Sequence, residues 1–529
     1  MDKQQLATVE YRPSFLSRAI VAFSGTTGLV LKLVVLSMLN GLVGWAIIIL
    51  FTQGRGWWAL SVAAVLFVFD GIYLVPNRLL PAKFIAPGTI FLVAYLIIPI
   101  FFTINTAFQK YSTGHVLSKS EAIATNIEQN VVLGDRFFQM MPALDDANQL
   151  VLVLIDDTTG DAFVGRATGL EPIDATSVGV DDYGEMLLPA QFRPLTTDEL
   201  LSIDALLSQL VIPVSEGVTI RAEGLSTAIE VRQGFEYDAI TEELVATDTG
   251  SRYGDNGRGS FVNENGEELN VGWRTYVGWE NFRTVLRNPL VRAPFVRAFI
   301  WTMIFASSTV LLSFAIGLFL AKLIDKPKFR FKRLYRSLLV VPYAVPGFLS
   351  LLVFRGLLND DFGLINKMLP FNVPWLFDPF WAKVSVIMVS VWLTTPYFML
   401  VCTGALQAIP TELVEAARVD GAGRWQVFRK VTLPLLLVVV TPLLVASFAF
   451  NFNNFNNVYL LTGGGPPSDD QGVAGATDIL ISYTYKLAFD SGKGQDYGLA
   501  SAISIYIFFI VAAISASGFM RSKALENMK

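Results

Sequence analysis

Residues 415–434 read EAARVDGAGRWQVFRKVTLP, a short polar segment between two long apolar runs. Thr411, just before it, is placed to cap a helix that runs through Val419, since a threonine hydroxyl accepts a hydrogen bond from a free amide of the first turn. Gly421 ends that helix, because glycine turns the chain without a Cβ penalty. A second helix over 424–430 leads into the next apolar run. The segment therefore predicts two short helices at an angle, forming a compact knob.

Outward from this segment the chain is strongly apolar. Hydrophobic residues make up 53% of its 529 residues, charged residues make up 16%, and the mean hydropathy is +0.50. A soluble globular chain carries roughly a quarter charged residues, so the composition indicates an integral membrane protein. Eight stretches are long enough to cross a bilayer, and they lie near 33–51, 57–76, 85–107, 295–321, 337–355, 384–407, 434–461 and 497–519. Pro342 and Pro346 interrupt the fifth, which is tolerated where neighbouring groups satisfy the freed carbonyls.

Lysine and arginine predict the orientation, because short cytoplasmic loops carry an excess of both. With the N-terminus inside, the cytoplasmic segments hold most of these residues, namely Lys3, Arg12, Arg18, Lys32, Arg78, Lys83, the basic run 322–336, Arg418, Arg424, Arg429, Lys430, Arg521, Lys523 and Lys529. The short outer loops hold few, namely Arg55, Lys367, Lys383, Lys486 and Lys493. Eight spans then place both termini in the cytoplasm, and the first span is expected to be a retained anchor.

The stretch between the third and fourth spans, roughly 108–290, is the size of a domain and differs in charge. Residues 121–280 contain 29 acidic residues, eight arginines and no lysine, a net charge of −21, whereas the rest of the chain carries +16. Apolar runs at 150–155, 218–221 and 229–231, with turn residues between them, predict a mainly β domain with some helix near 197–210. The topology places this domain outside. Its acidity fits either simple solubility or docking of a soluble partner.

Residue counts exclude several kinds of chemistry. With one cysteine, Cys402, and one histidine, His115, the chain can form neither an internal disulfide nor a Cys/His zinc set. No GxxxxGK[ST] phosphate loop occurs, and the Gly-rich stretch 463–467 (GGGPP) is interpreted as a turn. Asp70, near the end of the second span, fits an interfacial structural role better than a proton relay. The chain is therefore not expected to be an enzyme.

Residues 445–457 place polar side chains inside an apolar span. Serine and asparagine alternate with phenylalanine, and helical spacing sets Ser447, Phe450, Asn451 and Asn454 on one face. Uncharged amides and aromatic faces suit a sugar, which needs hydrogen bonds to its hydroxyls and an apolar surface under its ring. Hydrogen bonding between helices of the bundle is the alternative explanation. The residues alone leave both interpretations open.

The segment at 415–434 resembles the EAA loop of ABC-transporter permeases, EAA-x3-G-x9-I-x-LP, with Val431 at the usual isoleucine. The resemblance implies a cytoplasmic loop that docks in a cleft of an ATP-hydrolysing subunit. The positions that match the motif are Glu415, Ala416, Ala417, Gly421, Leu433 and Pro434. Glu415 would be the charged contact to a basic residue of that subunit. An ordinary amphipathic connector is the alternative.

Most of the chain resembles the MalF-type permease subunits of maltose transporters. The matching segments are 341–346 (VPYAVP), 446–455 (ASFAFNFNNF), 461–466 (LTGGGP) and 494–500 (GQDYGLA). The resemblance implies an α-helical integral membrane protein of about eight transmembrane helices, with a mainly β periplasmic domain inserted after the third. The expected divisions are 1–107, with the N-terminal cytoplasmic segment and helices 1–3, 108–290 for the periplasmic domain, and 291–529 for the permease core with its coupling loop at 409–434.

The same resemblance implies a sugar site. Ser447, Phe450, Asn451 and Asn454 would line it, together with Tyr397 and Tyr343. Three positions depart from the family pattern, which has Ser, Asn and Gly where this chain has Gly347, Ser390 and Thr394. The pocket wall on the fifth and sixth spans has therefore changed.

The implied function is that of a permease subunit in an ATP-driven importer of maltose or maltodextrins across a bacterial inner membrane. Its implied partners are a second, MalG-like permease subunit, a dimer of MalK-like ATPases, a periplasmic sugar-binding protein and membrane lipid, with no nucleic acid. The chain itself would bind no cofactor, since ATP and Mg belong to the ATPase. Alternatives are a permease for another α-glucoside such as trehalose, an ATP-independent secondary sugar transporter, and a membrane-anchored sensor. The secondary transporter leaves the EAA loop without a role, and the sensor lacks a large cytoplasmic domain.

Overall fold

The computed structural model describes residues 25–526 apart from short stretches at 75–79, 181–185, 197–198, 201–202, 204–205, 208–209, 216, 327–330, 469–472 and 491–493. The predicted N-terminal segment before residue 25 and most of the predicted helix near 197–210 lie outside the described residues. The chain divides into two compact units, Met1–Phe102 and Thr103–Lys529.

Long apolar helices account for most of the predicted spans. The described residues contain seven helices long and apolar enough to cross a membrane, namely Gly28–Thr52, Gly56–Leu74, Pro81–Ala107, Pro289–Asp325, Pro379–Gln407, Arg424–Phe452 and Tyr497–Met520. An eighth span results if the bent pair Lys332–Ala344 and Gly347–Leu357 counts as one. The predicted α-helical membrane architecture is confirmed.

We label the helices in chain order as α1 (Gly25–Thr52), α2 (Gly56–Leu74), α3 (Leu80–Leu92), α4 (Ile98–Ala107), α5 (Lys119–Gln129), α6 (Glu280–Arg287), α7 (Pro289–Asp325), α8 (Lys332–Ala344), α9 (Gly347–Leu357), α10 (Leu364–Met368), α11 (Pro379–Gln407), α12 (Thr411–Val419), α13 (Arg424–Val427), α14 (Leu433–Phe452), α15 (Phe455–Thr462), α16 (Leu480–Phe489) and α17 (Tyr497–Glu526). Two π-helical turns, Val93–Ile97 and Phe428–Thr432, join α3 to α4 and α13 to α14.

Two of the predicted spans are not single helices. The fifth, expected over 337–355, is the pair α8 and α9, whose axes meet at 91°. The seventh, expected over 434–461, ends at Phe452, and a separate helix, α15, follows from Phe455. Hydropathy could not show the first break, because Val345 and Pro346 lie in continuous apolar sequence. At the second break it averaged the polar pair Asn453 and Asn454 with the apolar residues on either side.

The first unit contains α1, α2 and α3. The amide nitrogen Nδ2 of Asn40 donates to Asp70 Oδ1 at 3.1 Å and to the carbonyl oxygen of Leu36 at 2.8 Å. Asp70 thus bonds across two neighbouring helices, which agrees with the structural role expected for it.

The inserted domain is built mainly of β-strands, as predicted. Its strands are β1 (Gln109–Lys110), β2 (Val131–Leu144), β3 (Leu150–Asp156), β4 (Ala162–Arg166), β5 (Gly169–Ile173), β6 (Gly179–Val180), β7 (Met186–Leu187), β8 (Arg193–Pro194), β9 (Val211–Ser215), β10 (Val218–Glu223), β11 (Thr227–Gln233), β12 (Phe235–Asp238), β13 (Glu243–Ala246), β14 (Arg252–Asp255), β15 (Phe261–Asn263) and β16 (Thr275–Tyr276). The three predicted apolar runs fall in β3, β10 and β11.

An eight-stranded antiparallel sheet forms the larger layer of this domain, in the order β5-β4-β3-β2-β11-β10-β9, with β8 paired to one end of β2. Its register pairs Phe138 with Asp156 on one side of β2 and with Ala228 on the other. A four-stranded sheet, β12-β13-β14-β15, forms the smaller layer. The two ends of the insert meet where β1 pairs with β16, Gln109 opposite Tyr276.

The membrane core is organised around α7, which packs along α11 and also contacts α14 and α16. Side-chain hydrogen bonds fix the start of α16 against α7. The indole nitrogen Nε1 of Trp301 donates to the carbonyl oxygen of Thr477 at 3.0 Å, and the backbone N–H of Leu480 donates to Thr302 Oγ1 at 2.9 Å. Both Trp301 and Thr302 are buried.

The Gly-rich stretch 463–467 is a turn, as predicted. Gly463 ends α15 with a φ of +63°, and Gly464 follows with a φ of +80°. A Cβ at Gly464 would lie against the carboxylate of Asp478, which is buried in an ion pair with Lys486 at 2.7 Å. The glycine is therefore required both by the backbone conformation and by the close approach of Asp478.

Candidate functional site

A cleft of about 690 Å³ opens between α8, α9, α11, α14 and the start of α15. All six residues predicted to contact a sugar line it, namely Tyr343, Tyr397, Ser447, Phe450, Asn451 and Asn454. The other lining residues are Pro342, Val345, Gly347, Phe348, Leu351, Leu393, Thr394, Ala446, Asn456 and Asn457. Of the described residues that line the cleft, none is charged. The structure thus brings together residues from three separate parts of the sequence.

The bend between α8 and α9 forms one wall of the cleft. A residue before proline is disfavoured in helical conformation, and Val345, which precedes Pro346, adopts an extended conformation at φ −81° and ψ 136°. The helix therefore stops at Ala344 and restarts at Gly347, with Pro346 at the N-cap position. This interruption places Tyr343 and Gly347 along the same cleft.

The break between α14 and α15 forms the opposite wall. Asn454 is not on the helical face predicted from its spacing, because α14 ends at Phe452 and Asn454 has a φ of −80° and a ψ of 76°. Its side-chain oxygen instead accepts a hydrogen bond from the backbone N–H of Asn457 at 3.3 Å, which caps α15. It still lines the cleft together with Ser447, Phe450 and Asn451.

Asn451 has an unused hydrogen-bond acceptor. Its side chain is 1% exposed, and its Nδ2 donates to the carbonyl oxygen of Ser447 at 2.9 Å. Its Oδ1 is buried and has no hydrogen-bond partner among the residues that the structure describes. A buried amide oxygen without a partner carries a free-energy cost of about 1–3 kcal/mol. A hydroxyl group bound in the cleft would remove that cost.

The aromatic residues of the cleft are more open. Phe450 is 71% exposed and Tyr343 is 59% exposed, while Tyr397 is partly buried. Their rings therefore offer apolar surface, and the serine, threonine and asparagine side chains offer neutral hydrogen-bonding groups. This combination suits a neutral polyhydroxyl ligand and provides no charged group for an ionic one.

Two asparagines of the cleft were not predicted. Asn456 and Asn457 lie in the first turn of α15, and Asn457 donates from Nδ2 to Ser390 Oγ at 2.9 Å. Ser390 is fully buried and does not line the cleft, so its hydrogen bond positions Asn457 there. The signal was available in the sequence, where Asn456 and Asn457 repeat the polar pair of Asn453 and Asn454 within an apolar run.

The loop with the EAA motif begins with α12, which ends at Val419 as predicted. Thr411 is not its N-cap; Pro410 occupies that position, and Thr411 is the first helical residue. The turn after α12 occurs at Gly421, whose φ is +84° and whose N–H donates to the carbonyl oxygen of Arg418 at 3.0 Å. This left-handed conformation explains why glycine stands at the motif position.

The second part of the loop differs from the predicted knob. α13 is a single turn that continues through the π-helical segment Phe428–Thr432 into α14, so residues 424–452 form one uninterrupted helix. Leu433 and Pro434 lie in the first turn of α14. A proline is tolerated there because the π-helical segment shifts the hydrogen-bond register just before it. The loop is therefore connected directly to the helix that carries Ser447 and Asn451.

A cation–π contact joins the loop to the core. Lys322 Nζ, in the last turn of α7, lies 3.6 Å from the ring centroid of Phe428. A cation at this distance from an aromatic face is attracted to it. Glu415 and Ala416 are exposed on α12, where a second protein could reach them, and Ala417 is partly buried.

Comparisons with known proteins agree with this architecture. The family model described as "Binding-protein-dependent transport system inner membrane component" matches residues 313–522, which include the cleft and the loop. The family model described as "N-terminal of TM subunit in PBP-dependent ABC transporters" matches residues 90–168.

Two similar proteins match nearly the whole chain. The maltose/maltodextrin transport system permease protein MalF of Yersinia pestis is 35% identical over 512 residues, covering 93% of this chain and 94% of that protein. MalF of Escherichia coli (strain K12) is 35% identical, covering 92% and 95%. A crystal structure of a bacterial ABC transporter involved in the import of the acidic polysaccharide alginate aligns with a TM-score of 0.41 and 22% identity, over 47% of this chain and 84% of that chain.

Proposed function

Because this chain belongs to the family of MalF permeases of binding-protein-dependent ABC transport, we propose that it carries maltose and maltodextrins across the inner membrane. The observation that carries the proposal is the uncharged cleft, where side chains from α8, α11 and α14 meet. Its amides and hydroxyls would bond the sugar hydroxyls, and Phe450, Tyr343 and Tyr397 would lie against the sugar rings. The volume of about 690 Å³ falls within the range of ordinary ligand pockets.

We propose further that the chain works with a second permease subunit, a dimer of ATPase subunits and a periplasmic sugar-binding protein. Glu415 and the two alanines after it would contact the ATPase, which would bind ATP and Mg and carry out the hydrolysis. Movement of the docked loop would pass along the helix 424–452 to Ser447, Phe450 and Asn451, because the helix is unbroken between them. The β domain would lie in the periplasm and both termini in the cytoplasm.

The experiment that tests this function is uptake by the reconstituted complex in proteoliposomes. Labelled maltose, maltotriose, trehalose and sucrose are offered with and without ATP. We expect uptake of maltose and maltotriose that requires ATP. Preference for trehalose would show that the chain transports another α-glucoside. Uptake without nucleotide would refute the ATP-driven mechanism.

The site itself is tested by Asn451→Ala. Loss of the buried amide would leave a sugar hydroxyl without its partner, which costs about 1–3 kcal/mol and predicts a roughly 5- to 150-fold loss of transport efficiency. The matched control is Asn453→Ala, which changes an exposed asparagine two residues away that does not line the cleft. Equal uptake by both variants, at equal expression and assembly, would show that this face does not bind the sugar.

A further inference from the structure

A second concave surface of about 730 Å³ lies between the N-terminal parts of α7 and α11, and we call it the α7–α11 groove. It is lined by Arg292, Ala293, Val296, Arg297, Ile300, Trp301, Ile304, Phe380, Lys383, Val384 and Ile387. No residue of the sugar cleft is among them.

The spacing of these residues produces a continuous surface. On α7 the lining side chains recur every three or four residues from Ala293 to Ile304, and on α11 they do so from Phe380 to Ile387. Residues at this spacing share one face of a helix. Because α7 and α11 pack along each other, the two faces together form one groove along the helix axes.

One end of the groove is basic. Arg292, Arg297 and Lys383 converge there from two helices, and of the described residues that line the groove, none is acidic. Asp378, the carboxylate just before α11, accepts hydrogen bonds from the backbone N–H groups of Phe380 and Trp381, each at 3.0 Å. That carboxylate caps α11, and it is not among the residues that line the groove.

The basic end lies at a membrane boundary. After Arg297, α7 has no charged residue until Lys322, and after Lys383, α11 has none before it ends at Gln407. Each run is long enough to cross the hydrocarbon layer, so the three cations stand where lipid headgroups lie.

The rest of the groove is apolar. Val296, Ile300 and Ile304 are 43%, 53% and 49% exposed. Trp301 forms the floor, where it is 5% exposed and held by its hydrogen bond to Thr477. Lys383 Nζ lies 5.3 Å from the Trp301 ring centroid, which holds the lysine over the groove.

We propose that the α7–α11 groove binds one anionic phospholipid, with its phosphate among Arg292, Arg297 and Lys383 and an acyl chain along Val296, Ile300 and Ile304. Single basic residues at helix ends ordinarily anchor a span by extending to the headgroups. Here three cations from two helices face one concave surface that continues as an exposed apolar channel. A headgroup and a chain joined in one molecule match both parts, whereas a free anion matches the basic end alone.

The first test measures lipid retained by the purified transporter complex in native mass spectrometry. Dioleoylphosphatidylglycerol and dioleoylphosphatidylcholine are titrated separately, since they have the same chains and different headgroup charge. Each basic side chain near an anionic lipid contributes a factor of roughly five, so R292Q/R297Q/K383Q should lower the affinity for phosphatidylglycerol roughly 100-fold. The same variant should lose the preference over phosphatidylcholine.

The matched control removes the same charge from the β domain. R193Q/R252Q/R258Q changes three arginines whose side chains are 51%, 55% and 66% exposed and which lie outside the groove. It should bind phosphatidylglycerol as the unmodified chain does. R297K/K383R, which keeps the charges, should also retain binding and so separates loss of charge from misfolding. Unchanged affinity in the triple glutamine variant of the groove would overturn the proposal.

The second test locates the lipid. Phosphatidylglycerol with brominated acyl chains should quench Trp301, and the quenched fraction is the difference between the unmodified chain and Trp301→Phe. Competition by glycerol phosphate as strong as that by the whole lipid would show a simple anion site and overturn the proposal. Absence of Trp301 quenching in the complete complex would show that another subunit covers the groove, and would overturn it as well.

Discussion

His115, the one histidine of the chain, is held between two serine hydroxyls near the start of the β domain. Its Nε2 lies 2.9 Å from Ser260 Oγ, and its Nδ1 lies 3.2 Å from Ser112 Oγ. Burial, and then the positive charge of Lys110, lower the pKa of His115 below its ordinary value of 6.5. The folded protein therefore resists protonation of this ring.

We expect acidification to destabilise the protein at this site. The unfolded chain takes up a proton on His115 as the pH falls through about 6.5, whereas the folded chain does not, so the free energy of unfolding decreases there. His115→Gln keeps a hydrogen-bonding group beside Ser260 and removes the titration. Thermal unfolding of the purified complex between pH 8 and pH 5.5 should show a smaller decrease in the variant. The same decrease in both proteins would contradict the assignment.

At this scale the sequence predicted residue types better than their conformation. The polar and aromatic pattern at 445–457, with the resemblance, led to six residues that all line the cleft. It placed Asn454 on a helical face, because spacing assumes a continuous helix. In the structure Asn454 caps the new helix α15 instead of continuing α14 past Phe452. Residue spacing cannot show whether an asparagine continues one helix or caps the next.

Among the elements, the turn between α12 and α13 depends on one glycine. Gly421 has a φ of +84°, and a Cβ there would meet no atom within 4 Å. The cost of a larger residue is therefore conformational and amounts to about 1 kcal/mol. Gly421→Leu should displace α12 and lower sugar uptake relative to ATP hydrolysis, whereas Gly421→Asn should be tolerated, because asparagine adopts left-handed backbone more readily.

The check is purification of each complex, followed by parallel assays of retained ATPase, ATP hydrolysis and uptake in vesicles. Sugar preference should remain unchanged in both variants, because Gly421 does not line the cleft. If leucine and asparagine behave alike, the backbone conformation of the turn does not matter for coupling.

A cation–π contact joins α7 to the π-helical segment. The attraction between Lys322 and the Phe428 ring should contribute about 0.5–1 kcal/mol, since Lys322 is exposed. A double-mutant cycle with Lys322→Met and Phe428→Leu, measured by unfolding of the complex, should return a coupling energy of this size. Lys326→Met, which removes a nearby exposed lysine, serves as the control. A coupling energy indistinguishable from zero would mean that the two side chains are independent.

Some features of the helices could not be predicted from hydropathy. The bend at Val345–Pro346 could be suspected from the two prolines, because proline disfavours helix in the preceding residue. The continuous helix over 424–452 could not be predicted, because two glycines precede it and Pro434 follows its first turns. The α7–α11 groove was also not predicted, because Lys383 is more than eighty residues from Arg297 in sequence and only the packing brings them together.

For the whole molecule, the charge distribution predicts the orientation. A periplasm-dependent reporter fused near Thr249, in the exposed turn between β13 and β14, should be active, and a cytoplasm-dependent reporter should not. Near Gly421 the two results should be reversed. Activity of either reporter on the other side would contradict the orientation derived from lysine and arginine, whatever the number of spans.

The breaks between α8 and α9 and between α14 and α15 place helix ends, which carry partial charges, at the sugar cleft. α9 begins at Gly347 and α15 begins just after Asn454, and both residues line the cleft. The N-terminal end of a helix carries a partial positive charge from its aligned peptide dipoles, roughly half an elementary charge for a full helix. The C-terminal ends of α8 and α14, which carry a partial negative charge, lie at the same two breaks, so the cleft offers partial charges of both signs to the hydroxyl groups of a neutral sugar. An amino sugar of the same size would find no acidic side chain among the lining residues to pair with its ammonium group.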